Sequence, residues 1–415
     1  MSPTPRTAFA LALLALSALI IPPEAAALGM VAVLTVAVVD ALAVRRAPEV
    51  NRLLSPALVR GARNDLRLKV ARPLRGAVRL RQPLPPDFTL EPSEQDEQLE
   101  GRLVANRRGR YAFPPAASRS TGPLGLGRWY HRPGAEAEVL VFPDLPGGRR
   151  LAHAVRRGRF REEGRRTRGP LGLGTEFESV RDYSPDDDVR QVNWRATARL
   201  GRPMSNQFRI ERDRDVICLV DCGRLMAAPL GNRTRLDAAL DVVVAVAAVA
   251  EEVGDRCGVL AFDGEIRRFL TPRRKATERI VHAIFDLEPV EVESDYTLAF
   301  QKVGDAKRAF VLVLTDLLEE EAARPLVEAL PVLARRHAVT VATAADEDLD
   351  AFVQIEPEQA IQVYRAVVAL DVLQGRSRAE SALRRAGAQV VDVPADRLPS
   401  ACVSAYLRAK ARARL

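Results

Sequence analysis

Two runs of apolar side chains occupy most of the first 44 residues. The first, from Thr7 to Ile21, is uncharged, and the second, from Ala25 to Val44, contains one charged residue, Asp40. Because a helix rises about 1.5 Å per residue, the second run spans about 30 Å, the thickness of the hydrocarbon core of a bilayer, and the first is somewhat short for that distance. A Pro-Pro-Glu turn separates them. We therefore predict a transmembrane helical hairpin over residues 1–46.

A secretory signal peptide is the alternative interpretation, with Arg6 as its basic region and Ala25 to Ala27 as its cleavage zone. Cleavage there would shorten the second apolar run, so the hairpin accounts better for its length. The turn carries no Lys or Arg, whereas arginines follow the second run at positions 45, 46, 52, 60 and 63. The positive-inside rule then predicts an inner (cytoplasmic) membrane protein that contacts lipid through residues 7–44 and whose soluble part is cytoplasmic.

Asp40 lies about one turn from the predicted cytoplasmic end of the second span. An ionisable side chain inside a span is costly and is often functional, facing a partner helix or a pore. The simpler interpretation, which we prefer, is that the carboxylate reaches the interface and pairs with Arg45 or Arg46.

Apolar and polar residues alternate in short segments from Asp65 to Asp144. Alternation with a period of two, interrupted by Pro and Gly, is typical of β-strands joined by turns. About seven such strands in about 90 residues predict a small antiparallel sandwich of immunoglobulin-like size over residues 60–148. The clearest segments are Leu66 to Val70, Val78 to Leu80, Phe88 to Leu90, Tyr111 to Phe113 and Val139 to Phe142.

Continuous apolar runs of strand length alternate with helical segments from residue 215 onward. Such alternation predicts an α/β fold, a doubly wound parallel sheet over residues 212–415. Ligands of such sheets bind beyond the carboxyl ends of the strands, where Asp221 and Asp316 fall. The predicted strands are Asp215–Val220, Gly258–Phe262, Phe310–Leu314, Ala338–Thr343 and Gln389–Val393, and the predicted helices include Arg235–Val253 and Glu278–Phe285.

An arginine-rich segment, residues 149–168, opens a predicted linker over residues 149–211. It holds nine arginines among glycines and few apolar residues, so we expect it to be solvated, with contact to anionic lipid headgroups as the alternative. The hexapeptide Gly-Pro-Leu-Gly-Leu-Gly occurs at residues 122–127 and again at 169–174. Neither copy has the Lys-Ser/Thr of a phosphate loop, and both predict turns.

Composition and charge exclude several classes of protein. The 415 residues are 47% hydrophobic and 28% charged, which is typical neither of a disordered chain nor of a membrane protein with many spans. A net charge of +8 spread over this length is weak support for nucleic-acid binding. The four cysteines and four histidines show no zinc-ligand spacing, and the cysteines are expected to be reduced thiols.

The densest set of charged and aromatic residues lies between Glu176 and Arg199. Its central part reads Asp186-Asp187-Asp188-Val189-Arg190-Gln191-Val192-Asn193-Trp194-Arg195-Ala196-Thr197-Ala198-Arg199. The chain here resembles a bacterial family called domain of unknown function 58, whose hallmark is an acidic Asp-Asp-x-Arg-x-Ile/Val-x-Trp-x-x-Thr/Ser-Ala-Arg segment leading into a von Willebrand A-like domain. The resemblance extends over roughly residues 7 to 400. One departure is Asp186, where such proteins usually carry Gly.

This motif predicts an extended turn followed by a short helix that starts near Asp186 to Asp188, where acids complement the positive end of the helix dipole. We expect Trp194 to anchor the helix to a core and the arginines to pair back to Asp182 or Glu176. The three consecutive carboxylates lack Ca²⁺-loop spacing, and no His or activated Ser or Cys accompanies them, so an internal brace or a partner-binding surface is favoured over a metal or catalytic site. The candidate residues are Arg181, Tyr183, Asp187, Asp188, Arg190, Trp194, Thr197 and Arg199.

The resemblance also implies a metal site. A von Willebrand A domain conventionally holds a divalent ion with Asp-x-Ser-x-Ser on its first loop, a Thr on a second and an Asp on a third. Here the first loop reads Asp221, Gly223, Leu225, without the two hydroxyls, and Thr297 and Asp316 are the residues left for the other positions. Because Mg²⁺ requires near-octahedral oxygen ligands, we expect a loop retained for structure or partner docking, with Mg²⁺ binding as the alternative and no other cofactor.

The expected function is that of a non-enzymatic, membrane-tethered cytoplasmic adaptor. The resemblance implies, in addition, partnership with a MoxR-type AAA+ ATPase in the assembly or activation of client proteins. Two alternatives remain open. One is a Mg²⁺- or Mn²⁺-dependent A domain that binds protein ligands, and the other is a hydrolase that uses the cluster from Asp186 to Asp188.

Overall fold

A computed structural model describes most of the chain, in ten segments separated by short gaps. The described residues are 1–72, 76–157, 160, 176–184, 189–209, 213–231, 233–304, 306–317, 320–356 and 358–411. Contacts divide the chain into two units, Met1–Phe142 and Pro143–Leu415. The predicted hairpin and most of the predicted sandwich belong to the first unit, and the predicted linker and α/β domain to the second.

Two apolar helices, α1 (Pro5–Ser17) and α2 (Pro23–Ala43), begin the first unit. Proline stands in the first turn of each, where its missing N–H costs no hydrogen bond. The helices pack against each other, as predicted for a hairpin. By length and composition α2 is able to cross a membrane, and α1 is a shorter apolar helix.

The remainder of the first unit is built of short strands, and the period-two prediction is confirmed. Within the described residues of this unit the strands form three sheets, ordered β1-β11-β10-β5-β7, β2-β4-β8-β6 and β3-β12-β9. The strands are β1 (Ser2–Pro3), β2 (Val50–Leu53), β3 (Ala57–Val59), β4 (Arg63–Val70), β5 (Ala77–Arg81), β6 (Phe88–Glu91), β7 (Glu94–Asp96), β8 (Gln98–Ala105), β9 (Gly109–Phe113), β10 (Ala117–Thr121), β11 (Gly127–His131) and β12 (Ala137–Phe142).

Alternate side chains of these strands fill one core, including Leu66, Leu68, Leu99, Leu103 and Phe113. The arrangement differs from the predicted antiparallel sandwich in two respects. After the short strand β1, the strands begin at Val50 rather than near residue 60, and β3 pairs with β12 in parallel.

The second unit alternates strands with helices. Its strands are β13 (Glu176–Asp182), β14 (Met204–Arg209), β15 (Asp215–Asp221), β16 (Pro229–Leu230), β17 (Arg233–Thr234), β18 (Arg256–Phe262), β19 (Ile266–Arg273), β20 (Ala309–Leu314), β21 (Ala338–Ala345) and β22 (Gln389–Pro394). Its helices are α3 (Leu145–Arg156), α4 (Trp194–Leu200), α5 (Arg235–Val253), α6 (Thr277–Ile284), α7 (Tyr296–Gly304), α8 (Glu320–Ala334), α9 (Glu347–Gln354), α10 (Ala360–Arg385) and α11 (Leu398–Ala411).

The central sheet of this unit has the order β19-β18-β15-β20-β21-β22 within the described residues. The pairings from β18 to β22 are parallel, which confirms the predicted parallel sheet, and β19 is an antiparallel edge strand that was not predicted. Strands β18 and β19 follow β15 on one side of the sheet, and β20, β21 and β22 then follow on its other side. Such a reversal opens a crevice at the carboxyl ends of the two central strands.

Helices cover both faces of this sheet. On one face, Ile217 and Leu219 join a core with Phe300 of α7 and Leu330 of α8. On the other, the ring of Phe310 contacts Tyr406 of α11. Helix α5, whose bounds match the prediction, is buried along most of its length and is almost wholly Ala, Val and Leu.

Helix α3 corrects the prediction that the arginine-rich segment is all linker. Residues 149–156 belong to this helix, which packs on α5. The approach is close, since a Cβ atom on Gly148 would lie 3.2 Å from the Cα of Ala245. The rest of the segment and the second copy of the hexapeptide lie outside the described residues, apart from Arg157 and Phe160.

Candidate functional site

The carboxyl edge of the sheet carries Asp221, the last residue of β15. Among the described residues, three hydroxyls donate to its buried carboxylate: Thr315 Oγ1 at 2.6 Å, Tyr296 Oη at 2.8 Å, and Ser294 Oγ. The backbone N–H of Gly223 donates to the same carboxylate at 2.8 Å. The hydrogen-bonding capacity of Asp221 is therefore met by the loops around it.

Tyr296 is the central donor of this cluster. Its ring packs edge-on against Phe262, and its hydroxyl also lies 2.8 Å from that of Thr315. Burial raises the pKa of Tyr296 well above its ordinary value, and the charge of Asp221 adds to the shift. The phenol therefore stays protonated and continues to donate to the carboxylate.

Asp316 follows β20 and forms the second half of the site. Its side chain is 0% exposed, with Arg235 at 3.0 Å and Arg376 at 3.5 Å. The hydroxyl of Thr343 donates to the same carboxylate at 3.2 Å. Burial raises the pKa of Asp316, and the two guanidinium groups oppose that shift by favouring the charged form.

The same arginines connect this edge to neighbouring helices. Arg235, at the start of α5, also lies 3.6 Å from Asp346, which caps α9. Arg376, in α10, also lies 3.9 Å from Asp392 of β22. Both guanidinium groups donate to the carbonyl of Ala344, at 2.7 and 3.0 Å. The network therefore joins α5, α9 and α10 to the ends of β20, β21 and β22.

Of the predicted metal set, Asp221 and Asp316 are buried at the carboxyl edge of the sheet, and Thr297 is exposed on α7. The hydroxyls that donate to Asp221 belong instead to Ser294, Tyr296 and Thr315. Within the described ranges, no three His, Cys, Asp or Glu side chains are placed to share a metal ion. A divalent cation at Asp316 would meet the positive charges of Arg235 and Arg376, so these residues do not fit a Mg²⁺ site.

The family motif folds separately from this edge, on the antiparallel pair β13–β14. The side chain of Asn193 caps α4 by accepting the N–H of Ala196 at 2.9 Å, and it donates to Asn206 at 2.8 Å. Thr197 accepts the N–H of Met204 at 3.0 Å. Gly201, with φ of 67°, ends the helix in the left-handed region that favours glycine. Asn193 and Thr197 thus hold α4 against β14.

The prediction that Trp194 anchors the motif to a core is wrong, because its side chain is 70% exposed. Trp194 is the first residue of α4 and follows the N-cap Asn193. Arg195 and Arg199, one turn apart, are also exposed. The outer face of α4 therefore presents an aromatic ring beside positive charge.

Other expectations for the motif are corrected as well. The helix starts at Trp194, after a 3₁₀ turn at Val189–Gln191 that contains the backbone of Arg190, and not near Asp186 to Asp188. Asp182 pairs with Arg202 at 3.3 Å. Candidates Arg181 and Tyr183 make local contacts, Arg181 with the carbonyl of Asp182 and Tyr183 with that of Pro203. Asp187 and Asp188 lie outside the described residues.

In the first unit, backbone N–H groups bind the side chain of Asp40. Its carboxylate accepts the backbone N–H groups of Leu124 at 2.9 Å, Leu126 at 2.8 Å and Gly127 at 3.0 Å. A Cβ atom on Gly122 would lie 2.3 Å from the carboxyl carbon, so the glycine permits this approach. The expected pairing with Arg45 or Arg46 is thus replaced by the first copy of the hexapeptide, which binds the carboxylate with its backbone.

Sequence reasoning missed Arg235 and Arg376, although each stands out as a charge beside small or apolar residues in a helix. It also missed Tyr296 and Thr315, which immediately precede the predicted Thr297 and Asp316. The signal available in the sequence was a hydroxyl side chain one position before each of these two expected ligands.

The fold and the site define an α/β protein. At the carboxyl edge of its central sheet, hydroxyl groups and arginines of the same chain contact the two buried aspartates. The family model "Protein of unknown function DUF58" matches residues 179–386, half of the chain, and the protein belongs to this family. Curated relatives include Uncharacterized protein Mb1516 of Mycobacterium bovis and Uncharacterized protein Rv1480 of Mycobacterium tuberculosis. Each is 27% identical over 157 residues, which is 35% of this chain and 48% of the relative. The chain thus spans about half the length of the curated relatives it matches.

Proposed function

We propose that the protein is a membrane-anchored cytoplasmic adaptor, without catalytic activity of its own, that acts with a MoxR-type AAA+ ATPase in the assembly or activation of client proteins. The observation that carries this proposal is the exposed Trp194 beside Arg195 and Arg199 on a helix fixed by Asn193 and Thr197. Tryptophan and arginine are enriched among the residues that dominate binding energy at protein interfaces, and a held helix presents them at little entropic cost.

The proposal assigns the second unit to the von Willebrand A-like class and the strands of the first unit to an immunoglobulin-like sandwich. In support of the first assignment, the sheet places its strands in the order third, second, first, fourth, fifth, sixth, with the third antiparallel. Asp221 and Asp316 flank the point where this order reverses.

Membrane anchoring at the inner membrane is supported by the length and apolar composition of α2 and by Arg45 and Arg46 beyond its end. The absence of catalysis is supported by the chemistry of the sheet edge. Asp221 accepts hydrogen bonds from hydroxyl donors, and Asp316 is buried in ion pairs with Arg235 and Arg376, so both carboxylates already have partners within the chain. The same contacts disfavour a metal-dependent A domain.

Binding of the full-length protein in detergent to the MoxR-type ATPase of the same organism tests the proposal. We expect Trp194→Ala combined with Arg195→Glu and Arg199→Glu to weaken binding by about tenfold or more. Arg335→Glu, at an exposed arginine beyond α8, is the matched control and should leave binding unchanged. Equal binding by the triple variant and the wild type would reject α4 as the docking surface, and no binding by either would reject the partnership.

A further inference from the structure

Helices α9 and α10 expose a second apolar surface. Among the described residues of these helices and their connection, eight large apolar side chains are at least 38% exposed. They are Phe352, Ile355, Ile361, Val363, Tyr364, Val367, Val368 and Leu370. We call them the α9–α10 surface.

The surface results from the way α10 is docked. Ala379 and Leu383, in its carboxyl-terminal half, join the core beside the sheet, and Arg376 reaches Asp316. In its amino-terminal half two stripes remain exposed, one with Ile361, Tyr364 and Val368 and another, about 120° around the helix, with Val363, Val367 and Leu370. Helix α9 packs against α10 and extends the apolar area. A helix held firmly at one end therefore projects apolar side chains at the other.

The charge along α9 and its connection to α10 is negative, and the guanidinium of Arg365 lies over the ring of Phe352, 5.9 Å from its centroid. Residues 346–358 contain six acidic residues and no Lys or Arg, although the whole chain carries a net charge of +8. Asp346 is paired with Arg235, and the other five acids are exposed: Glu347, Asp348, Asp350, Glu356 and Glu358. The acids in the first turn of α9 complement its dipole, and Glu358 precedes the N-cap of α10, near the positive end of that helix. Glu356 lies between the two helices, and all five carboxylates are exposed to a partner.

This negative charge distinguishes among the molecules that could bind the α9–α10 surface. A second copy meeting the same surface across a two-fold axis would oppose acid to acid, and an anionic bilayer would be repelled in the same way. An apolar helix face flanked by Lys or Arg would match both the apolar side chains and the acidic border. We propose that the α9–α10 surface binds a basic amphipathic helix of a partner protein. The proposal rests on the proposed adaptor function and adds the chemistry of a partner at a separate surface.

A fluorescently labelled peptide tests this inference. The probe is a helix of about 18 residues built of Leu and Lys at amphipathic spacing, and its counterpart replaces Lys with Glu. Binding is measured by fluorescence anisotropy to the full-length protein in nanodiscs of neutral phosphatidylcholine, with empty nanodiscs subtracted. We expect the Leu/Lys peptide to bind about tenfold or more tightly than the Leu/Glu peptide, and binding to weaken with added salt.

Paired variants locate the binding. Tyr364→Ser with Val368→Ser should weaken binding of the Leu/Lys peptide by about tenfold or more, and Glu356→Gln with Glu358→Gln should weaken it and reduce its salt dependence. Val332→Ser, at an exposed valine of α8, should bind the peptide as the wild type does.

Three results would overturn the inference: peptide binding that neither pair alters, self-association of the wild type that the Tyr364/Val368 pair abolishes, or binding to phosphatidylglycerol vesicles that this pair abolishes. Because ATPase binding is tested at Trp194, failure here leaves the proposed function standing.

Discussion

Arg235 and Asp316 form a buried ion pair, 3.0 Å apart, in which the two side chains are 4% and 0% exposed. The pair joins the first turn of α5 to the end of β20, and Arg376 approaches the same carboxylate from α10. Charges removed from water in this way are stable only when each has its partner. The carboxyl edge of the sheet therefore carries a buried cluster of paired charges that ties α5 and α10 to the end of β20.

Removal of one partner should be costly. We expect Arg235→Met to lower the free energy of unfolding by about 3–5 kcal/mol, because Asp316 loses its nearest positive charge. The double variant Arg235→Met, Asp316→Leu should be less destabilised than the sum of the two single variants. Urea unfolding of the four proteins checks this, with Arg324→Ala in the exposed pair with Glu328 as a control that should cost no more than about 1 kcal/mol. Additive effects would contradict the coupling.

Tyr296 should make stability depend on alkaline pH. Its pKa is raised in the folded protein, so its contribution is fully present below the ordinary tyrosine value of 10.0 and is lost as pH rises, because only the unfolded chain then ionises. We expect Tyr296→Phe to lower the free energy of unfolding by about 1–2 kcal/mol at neutral pH, and the difference from the wild type to shrink above pH 10. Urea titrations on either side of that value measure it. A difference that grows with pH would refute the assignment.

The carboxylate of Asp40 should hold the loop at residues 122–127. Asp40→Ala leaves the N–H groups of Leu124, Leu126 and Gly127 without this acceptor, and each costs about 1–3 kcal/mol when left unsatisfied. We expect hydrogen exchange at these amides to accelerate by about tenfold or more in lipid nanodiscs.

Gly122→Ala should have the same effect on those amides, because its Cβ would displace the Asp40 carboxylate. Gly304→Ala is the control, since a Cβ there meets only Val332, at 3.7 Å. Unchanged exchange in both the Asp40 and Gly122 variants would show that the loop is held by other contacts.

Substitutions in the family motif should distinguish residues that stabilise α4 from residues that are only exposed. Asn193→Ala removes the cap of α4 and should cost about 1 kcal/mol of local stability, measured as faster hydrogen exchange at Ala196. Trp194→Ala removes an exposed ring and should change stability by no more than about 0.5 kcal/mol. Equal losses from the two variants would mean that Trp194 also has a bracing role.

A comparison of individual elements shows which parts of the fold the sequence pattern predicts. Helix α5 has the predicted bounds, and the predicted strands appear within a few residues of their expected limits, because apolar runs report burial directly. The edge strand β19 was missed since its exposed residues, such as Phe269, do not form a continuous apolar run. Trp194 was placed in a core because a large aromatic ring usually is buried, but its position on α4 turns it outward.

By itself, the sequence determined the apolar amino-terminal helices, the β-rich region, the parallel α/β sheet and the location of Asp221 and Asp316 at its carboxyl edge. These follow from periodicity, which depends on neighbouring residues along the chain. Only the tertiary structure decided which groups meet those carboxylates: Tyr296 and Thr315 at Asp221, Arg235 and Arg376 at Asp316, and a backbone loop at Asp40. Such contacts join segments far apart in the chain, so the packing of whole elements, rather than local pattern, selects them.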